Sequence, residues 1–252
     1  MDLELQDVSV LYANKATPAL DRVSLTIPSG SFTVLVGPSG SGKSTLLGCL
    51  AGIEPPTAGE IRAGRETVRR PHPSRGMVFQ RDVLFPWATV AANISYALAA
   101  RGVPRGQRPQ MIAGLLDTVG LDQEVQRRRP AGLSGGMRQR AGIARMLAGE
   151  PEVMLMDEPF AALDAQTRLR MQDLVVELWA RLHRTVVFVT HDVDEAIRLS
   201  QRIVVLRDGR IEAQLENPLG PARPAGGLAD LPGYSDLRRR LHDHLHDLTL
   251  AA

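Results

Sequence analysis

Residues 31–51 read SFTVLVGPSGSGKSTLLGCLA, and their order decides the fold. The run at 31–36 has the apolar, β-branched composition of a strand buried on both faces. It leads straight into GPSGSGKS at 37–44, which matches G-x-x-x-x-G-K-[ST], and residues 44–51 continue as a helix. The glycines let backbone N–H groups close around phosphate oxygens, and the helix N-terminus adds about half a positive charge. A nucleotide-binding α/β chain follows, with Gly37, Pro38, Ser39, Gly40, Ser41, Gly42, Lys43, Ser44 and Thr45 around the phosphates. Lys43 is expected on the β- and γ-phosphates, and the Ser44 hydroxyl on Mg²⁺. Only Lys15 and Lys43 are lysines in a chain that otherwise uses arginine. A compact ammonium fits beneath phosphates where a planar guanidinium does not.

Outward from this loop, the next informative stretch is VMLMDEP at 153–159, a short aliphatic strand closed by two carboxylates. Asp157 at the strand end is placed to hold Mg²⁺ through water. Glu158, free of the metal, is the candidate base that orients and polarises an attacking water. Gln80 and His191 each follow a strand (76–79 and 185–190), so both fall at the carboxyl edge where open α/β sheets place their ligands. Upstream of the acidic strand, residues 133–140 read LSGGMRQR, a small-residue turn followed by a basic helix.

The order GPSGSGKST, LSGGMRQR, VMLMDEP resembles the ATP-binding cassette (ABC) ATPases, and the resemblance runs over nearly the whole chain. It implies a P-loop NTPase fold: a RecA-like, mixed or parallel sheet core, an N-terminal antiparallel β-subdomain and an inserted α-helical subdomain. The corresponding boundaries are 1–84 with 151–216 for the core, 85–150 for the helical signature subdomain and 217–252 for a linker and final helix. By the same resemblance Tyr12, about 31 residues before Lys43, matches the aromatic that stacks on adenine. Gln80 joins Mg²⁺ and the attacking water to the partner interface, and His191 senses the γ-phosphate. Ser134, Gly135 and Gly136 cap the γ-phosphate bound to a second cassette, and Asp164 communicates across that interface. ATP and Mg²⁺ are the implied cofactors, in a homodimer with two ATP at its interface. Many relatives have glycine where Ala161 stands, and Glu or Gln where Gly132 stands; neither departure removes a catalytic group.

Residues 79–87, FQRDVLFPW, resemble the FQxxxLxPW stretch of cassettes importing nitrate, taurine, alkanesulfonates and related small anions. Residues 163–168 and Met171-Gln172 look like the same group. No membrane domain, second motif set or long coiled-coil insertion accompanies the cassette. The resemblance therefore implies a detached importer ATPase, with taurine and alkanesulfonates foremost. Its partners would be two permease subunits and, indirectly, a substrate-binding protein, on the cytoplasmic face of the bacterial inner membrane. Phe85 and Trp87, flanking Pro86, are expected to form an exposed docking surface. Two other classes stay open. A phosphate-loop kinase would leave LSGGMRQR without a role, and a non-transport regulatory ATPase would make the 85–87 loop dispensable.

Composition bounds these readings. At 252 residues, with 44% hydrophobic and 4% aromatic residues, the core must be aliphatic. No apolar run reaches the roughly 20 residues that span a bilayer and no signal peptide opens the chain, so a soluble, intracellular protein is expected. Cys49 is the single cysteine, which excludes an internal disulfide and reads as core packing. Net charge is +2, and the arginine triplets at 127–129 and 238–240 lack interleaved aromatics. They read as solvated faces, with no nucleic-acid partner. Further helices are expected at 111–119, 136–147, 165–183 and 236–248, strands at 3–12, 23–27 and 59–62, and a hairpin at 203–213. Residues 217–233, rich in proline and glycine, read as an extended linker. His242, His244 and His246 read as a solvated helix face, since one helix supplies too few ligands for a closed metal site.

Overall fold

A computed structural model describes residues 1–13, 15–80, 84–221 and 227–246. Its strands are β1 (Leu3–Val10), β2 (Leu20–Ile27), β3 (Phe32–Val36), β4 (Ala58–Ala63), β5 (Glu66–Thr67), β6 (Arg75–Val78), β7 (Val153–Asp157), β8 (Thr185–Thr190), β9 (Arg202–Arg207) and β10 (Arg210–Glu216). Its helices are α1 (Lys43–Ala51), α2 (Val90–Ala100), α3 (Arg108–Thr118), α4 (Gly135–Ala148), α5 (Ala165–Leu182), α6 (Val193–Leu199) and α7 (Tyr234–His246).

Six strands form the main sheet in the order β10-β9-β3-β8-β7-β6. All pairs are parallel except β9 with β10, which form an antiparallel hairpin. Both residues at its tip, Asp208 (φ 46°) and Gly209 (φ 75°), take the left-handed conformation of the expected type I′ turn. The second sheet, β2-β1-β4-β5, is antiparallel throughout.

The period-two geometry of strands splits the core between the two faces of the main sheet. Phe32, Val34, Val36, Met154, Met156, Val186 and Phe188 point to one face, against α4, α5 and α6. Leu35, Val153, Leu155, Val187 and Val189 point to the other, against Leu46, Leu47 and Leu50 of α1 and the antiparallel sheet. With both faces covered, β3 and β8 are buried at every position, as parallel strands must be. The few aromatics concentrate in the first layer: Phe188 lies 6.3 Å from Phe32 and 5.4 Å from Phe160, ring centre to ring centre. Truncating Phe188 to alanine would cost about 3–5 kcal/mol. Cys49 is buried in the second layer, and burial pushes its thiol up to about 12, so it packs as a small apolar group.

The expected elements are present with ends shifted by one to three residues. Helices α2 and α6 were not expected as separate elements. The linker expectation is corrected over its described part. Asn217 is buried, its Nδ2 donating to the carbonyls of Ile197 (2.7 Å) and Ser200 (2.8 Å), and so it closes the C-terminal end of α6. Leu219, Leu228 and Leu231 pack on the core. Proline and glycine punctuate this stretch, but its leucines have an apolar surface to cover. Residues 222–226 lie outside the described residues, as does the Leu248 end of the final helix.

Candidate functional site

The carboxyl edge of the main sheet gathers the site. β3 delivers the phosphate loop, β7 delivers Asp157 and Glu158, and β8 delivers His191. Gly37 is fixed by packing, because a Cβ there would come within 2.2 Å of the Leu206 carbonyl oxygen on β9. Gly42, at the start of α1, has φ of 100°, which side-chain-bearing residues rarely adopt. Lys43 is buried in the middle of the loop. Its Nζ donates to the carbonyls of Gly37 and Pro38, each at 2.8 Å. Burial pulls the Lys43 pKa down, an effect that Glu158 and Asp157 oppose.

Ser44 Oγ donates to Asp157 Oδ1 at 3.0 Å. Burial raises the Asp157 pKa, the Ser44 hydrogen bond and Lys43 lower it, and the Glu158 charge adds to the rise. Glu158 turns sharply out of β7 with φ of 39°, its N–H donating to Val189 O at 3.1 Å. Such a conformation is strained for glutamate and persists only where the surroundings enforce it. Two groups converge on one of its oxygens: Gln80 Nε2 donates to Oε2 at 3.2 Å, and His191 Nδ1 lies 3.1 Å from the same atom. Residues that follow β6, β7 and β8, separated by up to 111 positions in sequence (191 − 80), thus meet on one carboxylate. Tyr12 approaches the loop from the end of β1, its hydroxyl 3.4 Å from Thr45 Oγ1.

The LSGG segment lies apart from this cluster. Ser134 caps α4, its Oγ accepting from Met137 N at 3.3 Å. A Cβ at Gly135 would meet Leu163 and Arg138, and one at Gly136 would come within 2.7 Å of Thr167 Cγ2. No atom of the phosphate loop lies within 4 Å of either built position. Asp164 caps α5, accepting from Thr167 N at 3.0 Å, and hydrogen bonding from the Thr167 amide and then its side chain holds its carboxyl below the usual range. The N-termini of α4 and α5 are therefore neighbours within one chain.

Residues 20–161 match the ABC transporter family model. The chain is 48% identical over 225 residues to a putative ATP-binding protein of Brucella abortus, covering 88% of this chain and 86% of the relative.

The chain belongs to the ABC transporter family.

It is 41% identical to the taurine import ATP-binding protein TauB of Rhizobium johnstonii, covering 99% of this chain and 100% of that one. With the nitrate import ATP-binding protein NrtD of Synechocystis it shares 44% identity, over 85% and 82% of the two chains. A dimeric ATP-binding cassette solved in a post-hydrolysis state with ADP and Pi superposes with a TM-score of 0.77 at 32% identity, over 85% of this chain and 98% of that one. The expected fold, a P-loop NTPase cassette, is borne out. As a family member the cassette binds ATP and couples its hydrolysis to transport.

Three features beside the site were not expected. Glu195, on α6, is buried and accepts a hydrogen bond from Thr190, the residue before His191. Helix α7 lies across the turn that carries His191: Tyr234 Oη (2.7 Å) and Arg238 Nε (3.0 Å) both donate to Asp194 Oδ1. The third corrects the reading of the histidine run. His242 is only partly exposed and lines a cavity of about 390 Å³ with Gly37, Pro38 and His191, while His244 Nδ1 lies 3.9 Å from Glu212. The His246 side chain lies outside the described residues. Among the described residues no cluster of three metal-ligating side chains occurs.

The loop after Gln80 presents the aromatics. Trp87 is 72% exposed and Tyr96 63%. Phe85 is half-buried between them, stacked on Trp87 at 5.5 Å and edge-on to Tyr96 at 5.1 Å, with the Arg145 guanidinium over its ring. Beside them runs an apolar groove of about 430 Å³ whose lining includes Met77, Phe79, Phe85, Tyr96 and Met146. Phe85 thus forms the base of the surface and Trp87 its exposed part.

Proposed function

We propose that this cassette energises a bacterial importer of small anions, with taurine and alkanesulfonates as its substrate class, and works as a homodimer docked on two permease subunits. The observation that carries the importer reading is the aromatic groove beside Gln80. Exposed aromatics bury large area at small entropic cost, which suits an anchor for a partner helix. Relatives named for taurine and nitrate import support the substrate class. Among the described residues no helix is long and apolar enough to cross a membrane. We read the attachment as peripheral, through the permease on the cytoplasmic face.

We read residues 1–84 and 151–216 as the catalytic core and 85–150 as the signature subdomain. In the core, Tyr12 stacks on the adenine and residues 37–45 hold the phosphates. The contacts of Gln80 and His191 fix Glu158 Oε2, which leaves Oε1 to accept the proton of the attacking water. With His191 Nδ1 held by Glu158, Nε2 remains for the γ-phosphate. Ser44, Asp157 and the Gln80 side-chain oxygen fit the all-oxygen preference of Mg²⁺. The 3.0 Å approach of Ser44 to Asp157, and the burial that disfavours a bare carboxylate there, suit a cation. When bound, Mg²⁺ neutralises charge on the transferring phosphoryl group. Exposed Ser134, with Gly135, Gly136 and Asp164, would complete the site of a second copy.

The test is ATP hydrolysis by the cassette reconstituted with its permease and binding protein. Taurine is expected to stimulate turnover and nitrate to leave it at the basal rate. Stimulation by nitrate alone assigns the transporter to that anion, and stimulation by neither contradicts the substrate class.

A further inference from the structure

The turn that carries His191 is wired into the protein interior through a buried carboxylate. Thr190, the last residue of β8, donates from Oγ1 to Glu195 Oε2 at 2.5 Å and accepts from Asp192 N at 3.0 Å. Glu195 Oε1 accepts from Gln172 Nε2 of α5 at 2.9 Å. Thr190, Gln172 and Glu195 are 2%, 3% and 8% exposed. The exposed His191 side chain, by contrast, has the Glu158 contact and the set of its own backbone to hold it.

This arrangement is expensive. Burial raises the Glu195 pKa, against the hydrogen bonds from Thr190 and Gln172. Turning its amide N–H toward Glu195 leaves Gln172 Oε1 buried without a partner. Each such defect works against folding, and apolar residues of similar volume would remove both. Residues whose environment works against their own ionisation cluster where geometry serves function. The position agrees with that rule. Glu195 reaches from α6 to α5, and α5 begins at its cap Asp164, about two helical turns or ~12 Å from Gln172.

We propose that Glu195 is a positioning residue for hydrolysis, tying the turn that carries His191 to α5 through Thr190 and Gln172, so that displacement of Asp164 is felt at His191. This rests on the reading of Glu158, His191 and Asp164 given above. Glu195 touches no nucleotide; it sets where His191 meets Glu158.

Steady-state ATP hydrolysis by Glu195→Gln, Thr190→Val and the double variant tests the link. Thr190→Val is nearly isosteric and keeps the packing if Glu195→Gln does not fold. Each single variant should lose kcat by about tenfold to a hundredfold, the scale of a small misplacement in an active site, with the KM for ATP within about twofold of wild type. The double variant should lose no more than the worse single one, because both break the same link. The Hill coefficient for ATP should fall toward 1. Unchanged kcat in folded variants, multiplicative losses, or a rise in KM matching the fall in kcat would each overturn the proposal. His191→Ala separates the failures. If it keeps turnover, the reading of the site is wrong; if it loses turnover while the Glu195 and Thr190 variants keep it, only the link is wrong.

Discussion

At the residue scale the proposed hydrolysis centres on Glu158, held in a left-handed turn with Gln80 and His191 on the same carboxylate oxygen. Replacing it with glutamine preserves the shape and removes the proton acceptor. Glu158→Gln should retain ATP binding and lose hydrolysis by about 10² or more; wild-type turnover in a single-turnover assay would remove Glu158 from its role. Glu195 gives a pH-dependent expectation. Its folded pKa lies above its unfolded value, so its contribution to stability is fully present below the unfolded pKa and is lost as pH rises through the folded one. The groups facing it are Asp192, whose charge adds to the rise, and Arg168, Thr190 and Gln172, which oppose it. The melting temperature of Glu195→Gln relative to wild type should therefore increase as pH rises above the ordinary glutamate range; a decrease contradicts the assignment. The phosphate loop, Asp157 and Glu158 were legible in the sequence because each motif is contiguous and its chemistry is local. Glu195 was not, since a glutamate in an amphipathic turn reads as solvated and its burial is set by α5, more than twenty residues away.

At the scale of elements, legibility followed periodicity and burial. The strands of the main sheet read clearly because residues buried on both faces give continuous aliphatic runs. Helix α2 carries little of that signal: its sequence VAANISYALAA is apolar around most of its circumference, and Asn93 is fully buried, its Oδ1 accepting from Phe85 N at 2.7 Å. That bond, with the Arg145 contact, fixes Phe85 as part of the subdomain and leaves Trp87 as the exposed aromatic. Trp87→Ala should leave the ATP affinity and basal hydrolysis of the isolated cassette within about twofold of wild type. In the assembled transporter it should weaken co-purification with the permease and lower uptake, as removal of an interface anchor worth about 2 kcal/mol or more would. Unchanged uptake by the folded variant would place docking elsewhere in residues 85–150.

At the scale of the whole molecule, one chain holds a complete set of motifs but does not bring them to one place. Lys43, Asp157, Glu158 and His191 share the sheet edge. Ser134 caps its own helix, and the two glycines after it face Leu163 and Thr167 at the start of α5 instead. The cassette's α4 and α5 N-termini lie side by side, so a second copy placing its Ser134 on a bound nucleotide would bring its Asp164 to the same interface. The central claim is that the ATP site is completed in trans, and mixing two inactive variants tests it most directly. Lys43→Ala lacks its own phosphate contact, and Ser134→Arg blocks the site of its partner. A mixed dimer still builds one intact site, from Lys43 of the second variant and Ser134 of the first. Titrating one variant into the other should therefore restore ATP hydrolysis to a fraction of the wild-type rate, with each variant alone near background. Background activity across the whole titration, with mixed dimers demonstrated by cross-linking, would contradict completion of the site by the second copy.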